Sequence, residues 1–287
     1  MISNEGCLYL PLSTPVGAKN YSDQLWLLSL QPGTTRFITK ELPLNNLYVA
    51  GYYMKMDNVN KRIYAGGFYA AKKSGSYDGI LYAYYDIGSS SFQNRKFISF
   101  DSQILSATGS RSKRRAFDDY VVRQMIVKND GGFVMVSESY FVSTRSSYAP
   151  GFGYYAAYYS PYMSANVREY HYNDIMVLSY NGEGQREWGT IIPKTQYSQE
   201  DGGLFSSYAL LNTGGTLAFL FNDFNSTHSR IQMGAVDELG KLQMHSFTAE
   251  GNDYPDWIPR SAKQVASRIM VVPCLHKRQI CFAKIVF

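Results

Sequence analysis

The sequence predicts an all-β fold, and three features of the chain support that prediction. Its composition favours strands, because 25 Tyr and 16 Phe stand among its 287 residues, while 24 Gly and 10 Pro punctuate them. Short apolar segments alternate with turn residues, and the same pair of hairpins recurs along the chain. A chain of this length buries roughly three quarters of its unfolded surface, so a sizeable core can form.

One kind of hairpin, with a glycine-containing turn, occurs four times. The first strands of the four copies read DQLWLLSL, DGILYAYYD, DIMVLSY and RIQMGAV. The turn glycines that follow them, Gly33, Gly88, Gly184 and Gly240, are separated by 55, 96 and 56 residues. The middle step is therefore one period plus about forty inserted residues.

A second kind of hairpin lies between these copies. It has the turn Asn-Asp-Gly-Gly within residues 120–141 and the turn Asn-Thr-Gly-Gly within residues 206–223, and a weaker copy covers residues 47–69. Both glycine turns suit the positive φ angles of tight hairpins. Two hairpins per period of about 55 residues make a four-stranded antiparallel unit, which is typical of a β-propeller blade.

The repeat predicts one β-propeller domain over residues 1–287, with about five blades of which the first and last are incomplete. The blades are expected at residues 1–43, 47–100, 120–193, 205–249 and 261–287. The first lacks its first strand and the last lacks its final strand. Because an open sheet edge invites aggregation, two alternatives stay open: the chain is part of a larger ring whose upstream sequence is absent, or it closes imperfectly as a five-bladed ring.

These units resemble the repeats of bacterial β-propeller repeat proteins, which run Asp/Asn-Gly-Gly, Asp-x-x-Val, Asn-x-x-Gly and Trp. The best match is residues 174–223, where Asn181, Gly184 and Trp188 occupy the motif, while the other units are degenerate and lack the Trp. The resemblance covers nearly the whole chain. It implies a propeller in which the second kind of hairpin, with the Asn-Asp-Gly-Gly or Asn-Thr-Gly-Gly turn, supplies the inner strands of each blade and the first kind supplies the outer strands. It also implies export, although the first residues contain no signal peptide. It does not imply a particular function.

The long connections are expected on one face of such a propeller and the short turns on the other. They are residues 101–119, 142–173, 194–204 and 250–260. Since long loops on a rigid scaffold commonly carry function, we expect any binding site on that face. The insertion at residues 142–173 is rich in tyrosines, which suit glycan or peptide contacts, although it could also simply pack on itself. Its candidate ligand-binding residues are Tyr154, Tyr155, Tyr158, Tyr159 and Tyr162.

Acidic residues recur just before the predicted inner strands. The candidates among them are Asp119, Asp201 and Asp256, which would lie around the rim of the central channel. Rim carboxylates could bind a cation or basic ligand, or serve as the acid and base of a glycosidase. The structural alternative is that each Asp caps the loop backbone, which is favoured because Asn45 and Asn46 take that place in an earlier blade.

The three cysteines are too few and too scattered for a disulfide scaffold or a four-ligand zinc site. A two-residue turn at Lys277 and Arg278 would pair Cys274 with Cys281 across two strands, as a disulfide or as two buried thiols. No metal, cofactor or catalytic residue is predicted, because the four histidines lack metal-ligand spacing and none of the common nucleophile or nucleotide motifs occurs.

Charge and hydropathy limit the partners. The net charge is +5, and four of the positive charges fall within residues 111–115, so the rest of the chain is nearly neutral. A nucleic-acid binder spreads its basic residues over a face, so nucleic acid is not expected as a partner. No apolar stretch approaches the roughly 20 residues that span a bilayer, so no membrane span is expected.

Three functional hypotheses follow. The first is a non-catalytic binding or surface-display propeller that uses the long-loop face, with a glycan or peptide as ligand. The second is a propeller hydrolase, which requires two of Asp119, Asp201 and Asp256 to lie within roughly 5 to 10 Å of each other. The third is a purely structural repeat module. The sequence sets neither the ligand nor the oligomeric state.

Overall fold

A computed structural model describes residues 1–17, 21–73, 76–102, 104, 117–147, 165–224, 230–247 and 255–287. These residues form twenty strands and one single-turn 3-10 helix. The strands are arranged in four sheets, and neighbouring strands in the described part of the chain pair antiparallel.

The first sheet contains seven strands in the order β1-β2-β4-β5-β6-β7, with β3 paired to β2. The strands are β1 (Leu8–Val16), β2 (Tyr21–Leu30), β3 (Phe37–Leu42), β4 (Tyr48–Asp57), β5 (Arg62–Ala70), β6 (Gly79–Asp86) and β7 (Ser91–Ser99). Strands β4 to β7 form a meander, and a single residue pair, Ser22 with Val49, joins β2 to β4. The sheet therefore combines a three-stranded and a four-stranded unit.

The second sheet has the order β11-β10-β9-β8, with β12 paired to β10. Its strands are β8 (Tyr120–Val127), β9 (Phe133–Ser147), β10 (Ala165–Tyr180), β11 (Arg186–Ile192) and β12 (Gln196–Gln199). The third sheet is a four-stranded meander of β13 (Ala209–Asn212), β14 (Thr216–Asp223), β15 (Arg230–Asp237) and β16 (Leu242–Phe247).

In the fourth sheet, β19 lies at the centre. Its elements are β17 (Asp256–Trp257), the 3-10 turn Pro259–Ser261, β18 (Lys263–Ala266), β19 (Ile269–His276) and β20 (Gln279–Val286). β17 and β18 pair with β19 at different positions, and β20 also pairs with it. The all-β fold predicted from the sequence is confirmed, and its four-stranded meanders have the strand order of propeller blades.

Strand β5 shows why these segments do not alternate cleanly between polar and apolar residues. Eight of its nine residues are buried. Ile63, Ala65 and Tyr69 pack in clusters with side chains from the first three strands, whereas Tyr64 and Phe68 pack against side chains of β8 to β10. A strand covered on both faces is apolar throughout, so its sequence, RIYAGGFYA, follows from its position between two layers.

The chain divides into two compact units: Met1–Glu138 with Met176–Ile191, and Ser139–Ile175 with Ile192–Phe287. The division falls within β9 and β10. In the first unit the largest core cluster lies between β5–β6 and β8–β10 and includes Tyr82, Phe133 and Tyr180. In the second unit, residues of β13–β15 pack against Met270 and Val272 of β19. Within the described part of the chain, no helix has the length and apolar character needed to cross a bilayer.

The hairpin at the end of the chain has the register predicted from its turn. Lys277 and Arg278 have φ angles of 47° and 68°, and the strands pair His276 with Gln279 and Cys274 with Cys281. The two cysteines, whose Cα atoms are 4.9 Å apart, form a disulfide rather than remaining two buried thiols. Cys7 is a buried free thiol in the first unit.

We expect reduction of this disulfide to destabilise the second unit by about 2 kcal/mol, because the bond restricts the unfolded chain over a short loop. Urea unfolding of the parent protein with and without dithiothreitol measures this difference. In a Cys274→Ser/Cys281→Ser variant, dithiothreitol should have no effect. The prediction fails if the oxidised parent protein yields three thiols on alkylation under denaturing conditions.

Candidate functional site

The two longest strands extend beyond the four-stranded part of the second sheet. β9 has 15 residues and β10 has 16, and the four-residue strand β12 pairs with β10 from Glu169 to Tyr172. We call residues 139–147, 165–175 and 196–199 the arm. All three segments belong to the second unit. The prediction that residues 142–173 and 194–204 are loops is wrong in part. Both ranges contain strand residues of the arm, at 142–147, 165–173 and 196–199.

Strand alternation places a group of polar and aromatic side chains on one face of the arm, which we call the arm face. Cross-strand pairing brings His171 opposite Tyr197, and Glu169 opposite Gln199. The members of the arm face are Phe141, Ser143 and Arg145 from β9, Glu169 and His171 from β10, and Tyr197 and Gln199 from β12.

The carboxylate of Glu169 lies at the centre of the arm face. The hydroxyl of Tyr197 donates to its Oε1 at 2.9 Å, and the hydroxyl of Ser143 donates to its Oε2 at 3.1 Å. Arg145 Nε lies 3.3 Å from Oε1. The hydrogen bond from Tyr197 is the main cause that lowers the pKa of the Glu169 carboxyl, and Ser143 and Arg145 lower it further. The carboxylate is therefore anionic at neutral pH and held on both oxygens.

The imidazole of His171 is fixed by its neighbours. Its ring stacks on Phe141 with centroids 4.3 Å apart and planes at 11°, and the Tyr197 ring lies 5.1 Å away. Nε2 lies 3.4 Å from the hydroxyl of Ser143. In a serine nucleophile triad, the carboxylate contacts the histidine. Here it contacts the serine, so this arrangement favours ligand contacts over acyl transfer.

A buried polar network anchors the base of the arm to the third sheet. The ammonium of Lys194 donates to the Tyr172 carbonyl at 3.0 Å and to Gln196 Oε1 at 2.9 Å. Gln196 Nε2 donates in turn to the Asn222 carbonyl at 2.8 Å. Lys194 and Gln196 are 5% and 1% exposed. Because buried polar groups are costly unless paired, these bonds fix the arm in one position.

None of the three aspartates predicted from the sequence is a member of the arm face. Asp119 is exposed in the turn before β8, in the first unit. Asp201 accepts hydrogen bonds at 2.7 Å from the Ser198 hydroxyl and from the Gly203 amide, so it caps its own turn. Asp256 is exposed in β17 and pairs in register with Leu275.

Tyr154, Tyr155, Tyr158, Tyr159 and Tyr162 lie outside the described residues, as does the basic segment 111–115. The sequence analysis missed the arm face itself. The available signal was the alternation in residues 140–145 and 167–172, where Val, Thr, Tyr and Phe favour a strand and place Glu169 and His171 on one side.

Comparisons with known proteins assign no family. No protein-family model and no curated protein matches the chain. Among solved structures, a GH43 β-1,3-galactosidase is 9% identical, with a TM-score of 0.36, over 99% of this chain and 54% of that chain. The chain thus spans about half the length of that protein.

Two further solved structures are similar at the same level. A second GH43 β-1,3-galactosidase, with galactodeoxynojirimycin, is 8% identical, with a TM-score of 0.36, over 99% of this chain and 88% of that chain. The WD40 domain of SCAP from fission yeast is 10% identical, with a TM-score of 0.29, over 100% of this chain and 75% of that chain. Similarity at this level assigns no function to the chain.

Proposed function

We propose that this protein is a non-catalytic binding propeller that takes its ligand on the face of the long connections, with the arm face as part of the site. One observation supports the proposal above all. An imidazole, a phenol, a guanidinium and a carboxamide surround one fixed carboxylate on a single strand surface. Planar donors and acceptors beside aromatic rings are typical of sites that bind hydroxyl- and amide-bearing ligands.

The ligand that suits this surface best is a glycan. Tyr197 is 44% exposed, so part of its ring is available for stacking, and the side chain of Arg145 is 68% exposed. Gln199 adds both a donor and an acceptor. The Tyr-rich segment joins β9 to β10 in the sequence and would supply further rings. A peptide is the alternative ligand, and the experiment below distinguishes the two.

The contacts of the described residues support binding more than hydrolysis. The hydroxyl of Ser143 is engaged with Glu169, and Asp201 is engaged with its own turn. Hydrolysis by rim carboxylates still requires two of Asp119, Asp201 and Asp256 at a short separation. The Cys274–Cys281 disulfide supports export to the cell envelope or the extracellular space, because disulfides persist in oxidising compartments.

The test is a glycan and peptide array with the purified protein, followed by calorimetric titration of each hit. We expect at least one glycan to bind, and the affinity of a His171→Ala/Tyr197→Ala variant to fall by at least about tenfold, because two contact groups are lost. We expect no release of reducing sugar. The matched control is His245→Ala, since His245 is exposed on β16 in the same unit and lies outside the arm.

Each other outcome counts against part of the proposal. Binding of peptides alone would replace the glycan with a peptide ligand. Equal affinities of the parent protein and the double variant would remove the arm face from the site. A parent protein that unfolds cooperatively and binds nothing on the array would indicate a structural repeat module.

A further inference from the structure

Strand β20 is an edge strand of the fourth sheet, and its outer face is apolar. Among the described residues it pairs with β19 alone. Ile280, Phe282 and Val286 alternate along it and are 73%, 70% and 67% exposed, whereas Ile285 packs against the core of the second unit. Because an exposed apolar edge is a template for a further strand, β20 is a candidate for binding a strand from a partner.

The backbone of β20 presents a regular row of hydrogen-bonding groups at this edge. In a hairpin with a two-residue turn, the pair that flanks the turn exchanges hydrogen bonds, and so does every second pair beyond it. The flanking pair here is His276 with Gln279, and the pattern continues to the far end, where the Phe287 amide donates to the Arg268 carbonyl at 3.0 Å. The N–H and C=O groups that point away from β19 therefore belong to residues 280, 282, 284 and 286.

The apolar surface extends from β20 onto its neighbour. The exposed residues of β20 lie opposite apolar residues of β19 that are half-buried: Ile280 opposite Leu275, Phe282 opposite Pro273, and Val286 opposite Ile269. We call this surface, with Lys284 at its centre, the edge strip. A contiguous exposed apolar surface on a soluble protein is typical of an interaction site.

Cations border the edge strip. Residues 255–287 contain six Lys or Arg and one Asp. Lys284 lies in the middle of the strip, Lys277 and Arg278 form the turn at one end of β20, and Arg268 lies at the other end. All four side chains belong to exposed residues. A segment that carries acidic residues at both ends and at its centre, with apolar residues between them, would complement these charges.

The same charges argue against two other occupants. Antiparallel pairing of two β20 strands across a two-fold axis would bring the basic turn of each copy toward the basic end of the other copy, and like charges repel. An anionic lipid surface would match the side chains, but it offers no strand to pair with the row of backbone groups. An acidic strand satisfies both the backbone groups and the side chains.

We infer that the β20 edge binds an extended acidic and apolar segment of a partner protein, which adds to the fourth sheet as an antiparallel strand. Main-chain hydrogen bonds to the outward groups supply affinity, and the alternate side chains of the edge strip supply specificity. The edge strip shares no residue with the arm face, and none of the observations on it concerns that face. The inference is therefore independent of the function proposed above.

The first test uses the synthetic peptide acetyl-DVTETITVD-amide, titrated by calorimetry into the full chain at up to about 1 mM. In antiparallel register its glutamate lies opposite Lys284, and its two terminal aspartates lie near the basic turn and near Arg268. We expect it to bind. N-methylation of its glutamate and isoleucine amides should weaken binding at least about tenfold, because these amides face β20. The matched control is N-methylation of the threonine between them, whose amide faces away.

The second test changes the protein. Phe282→Pro removes one outward amide and one exposed ring without removing a hydrogen bond to β19, so it should weaken the peptide at least about tenfold. Lys284→Glu keeps the inference testable if Phe282→Pro does not fold. It should weaken the acidic peptide severalfold and strengthen acetyl-KVTKTITVK-amide, which binds the parent protein poorly. Lys241→Glu is the matched control, since Lys241 is exposed in the turn between β15 and β16.

A variant of the arm face, His171→Ala/Tyr197→Ala, should bind the acidic peptide as the parent protein does. Any of four results would overturn the inference. The folded parent protein does not bind the peptide, or the peptide methylated on its glutamate and isoleucine binds as well as the unmodified one. The parent protein binds phosphatidylserine vesicles but not the peptide, which would indicate a lipid surface. Sedimentation shows a dimer that Phe282→Pro abolishes, which would indicate a second copy.

Discussion

Phe133→Ala is expected to lower the free energy of unfolding of the first unit by about 3 to 5 kcal/mol. The side chain is fully buried in the largest core cluster, and its ring stacks on Tyr82 at 4.3 Å and on Tyr180 at 5.0 Å. Removal of the ring takes a stacking partner from both tyrosines and leaves a cavity between the strand layers. Because close-packed layers relax only partly, the cost includes the cavity as well as the lost contacts.

Urea unfolding followed by tryptophan fluorescence measures this effect. Trp26 and Trp188 belong to the first unit and Trp257 to the second, so a Trp257→Phe background reports on the first unit alone. Phe37→Ala is the matched control, since Phe37 is 45% exposed on β3, and its loss should cost no more than about 0.5 kcal/mol. If both variants lose the same stability, Phe133 is not part of a packed core.

The hairpins were predictable because local chemistry specifies them. The turn at Lys277 and Arg278 was located from its neighbours alone, and the register that follows from a two-residue turn gave the pairing of Cys274 with Cys281. The Asn-Asp-Gly-Gly turn joins β8 to β9, and Gly131 has the positive φ of 79° that such a turn needs. In both cases the decisive interactions join residues that are close in the sequence.

The arm was not predictable for the opposite reason. β12 has four residues, and its partner residues in β10 are 24 to 30 positions away, so no local pattern identifies the pair. The arm strands also flank a Tyr-, Ser- and Gly-rich segment, which made the whole insertion look like a loop.

The second large effect is expected from the buried ion pair in the first unit. The side chain of Glu138 is fully buried in β9, and Arg123 Nε on β8 lies 3.0 Å from its Oε2. Arg123→Ala removes the cation and leaves the carboxylate inside the protein, which typically costs about 3 to 5 kcal/mol. We therefore expect a loss of about 3 kcal/mol in urea unfolding, since Arg123 is 32% exposed and the pair is partly hydrated.

A double variant separates the cost of an uncompensated charge from the value of the pair itself. Arg123→Met/Glu138→Leu should recover most of the stability, because apolar residues of similar volume often replace a buried ion pair without loss. Lys61→Ala is the control. It breaks an ion pair with Glu5 in which the two side chains are 66% and 54% exposed, so it should leave the free energy of unfolding nearly unchanged. If Arg123→Ala lowers the free energy of unfolding no more than Lys61→Ala does, the Glu138 carboxylate is hydrated and is not a buried charge. If the double variant is no more stable than Arg123→Ala, the pair contributes packing that the apolar residues do not replace.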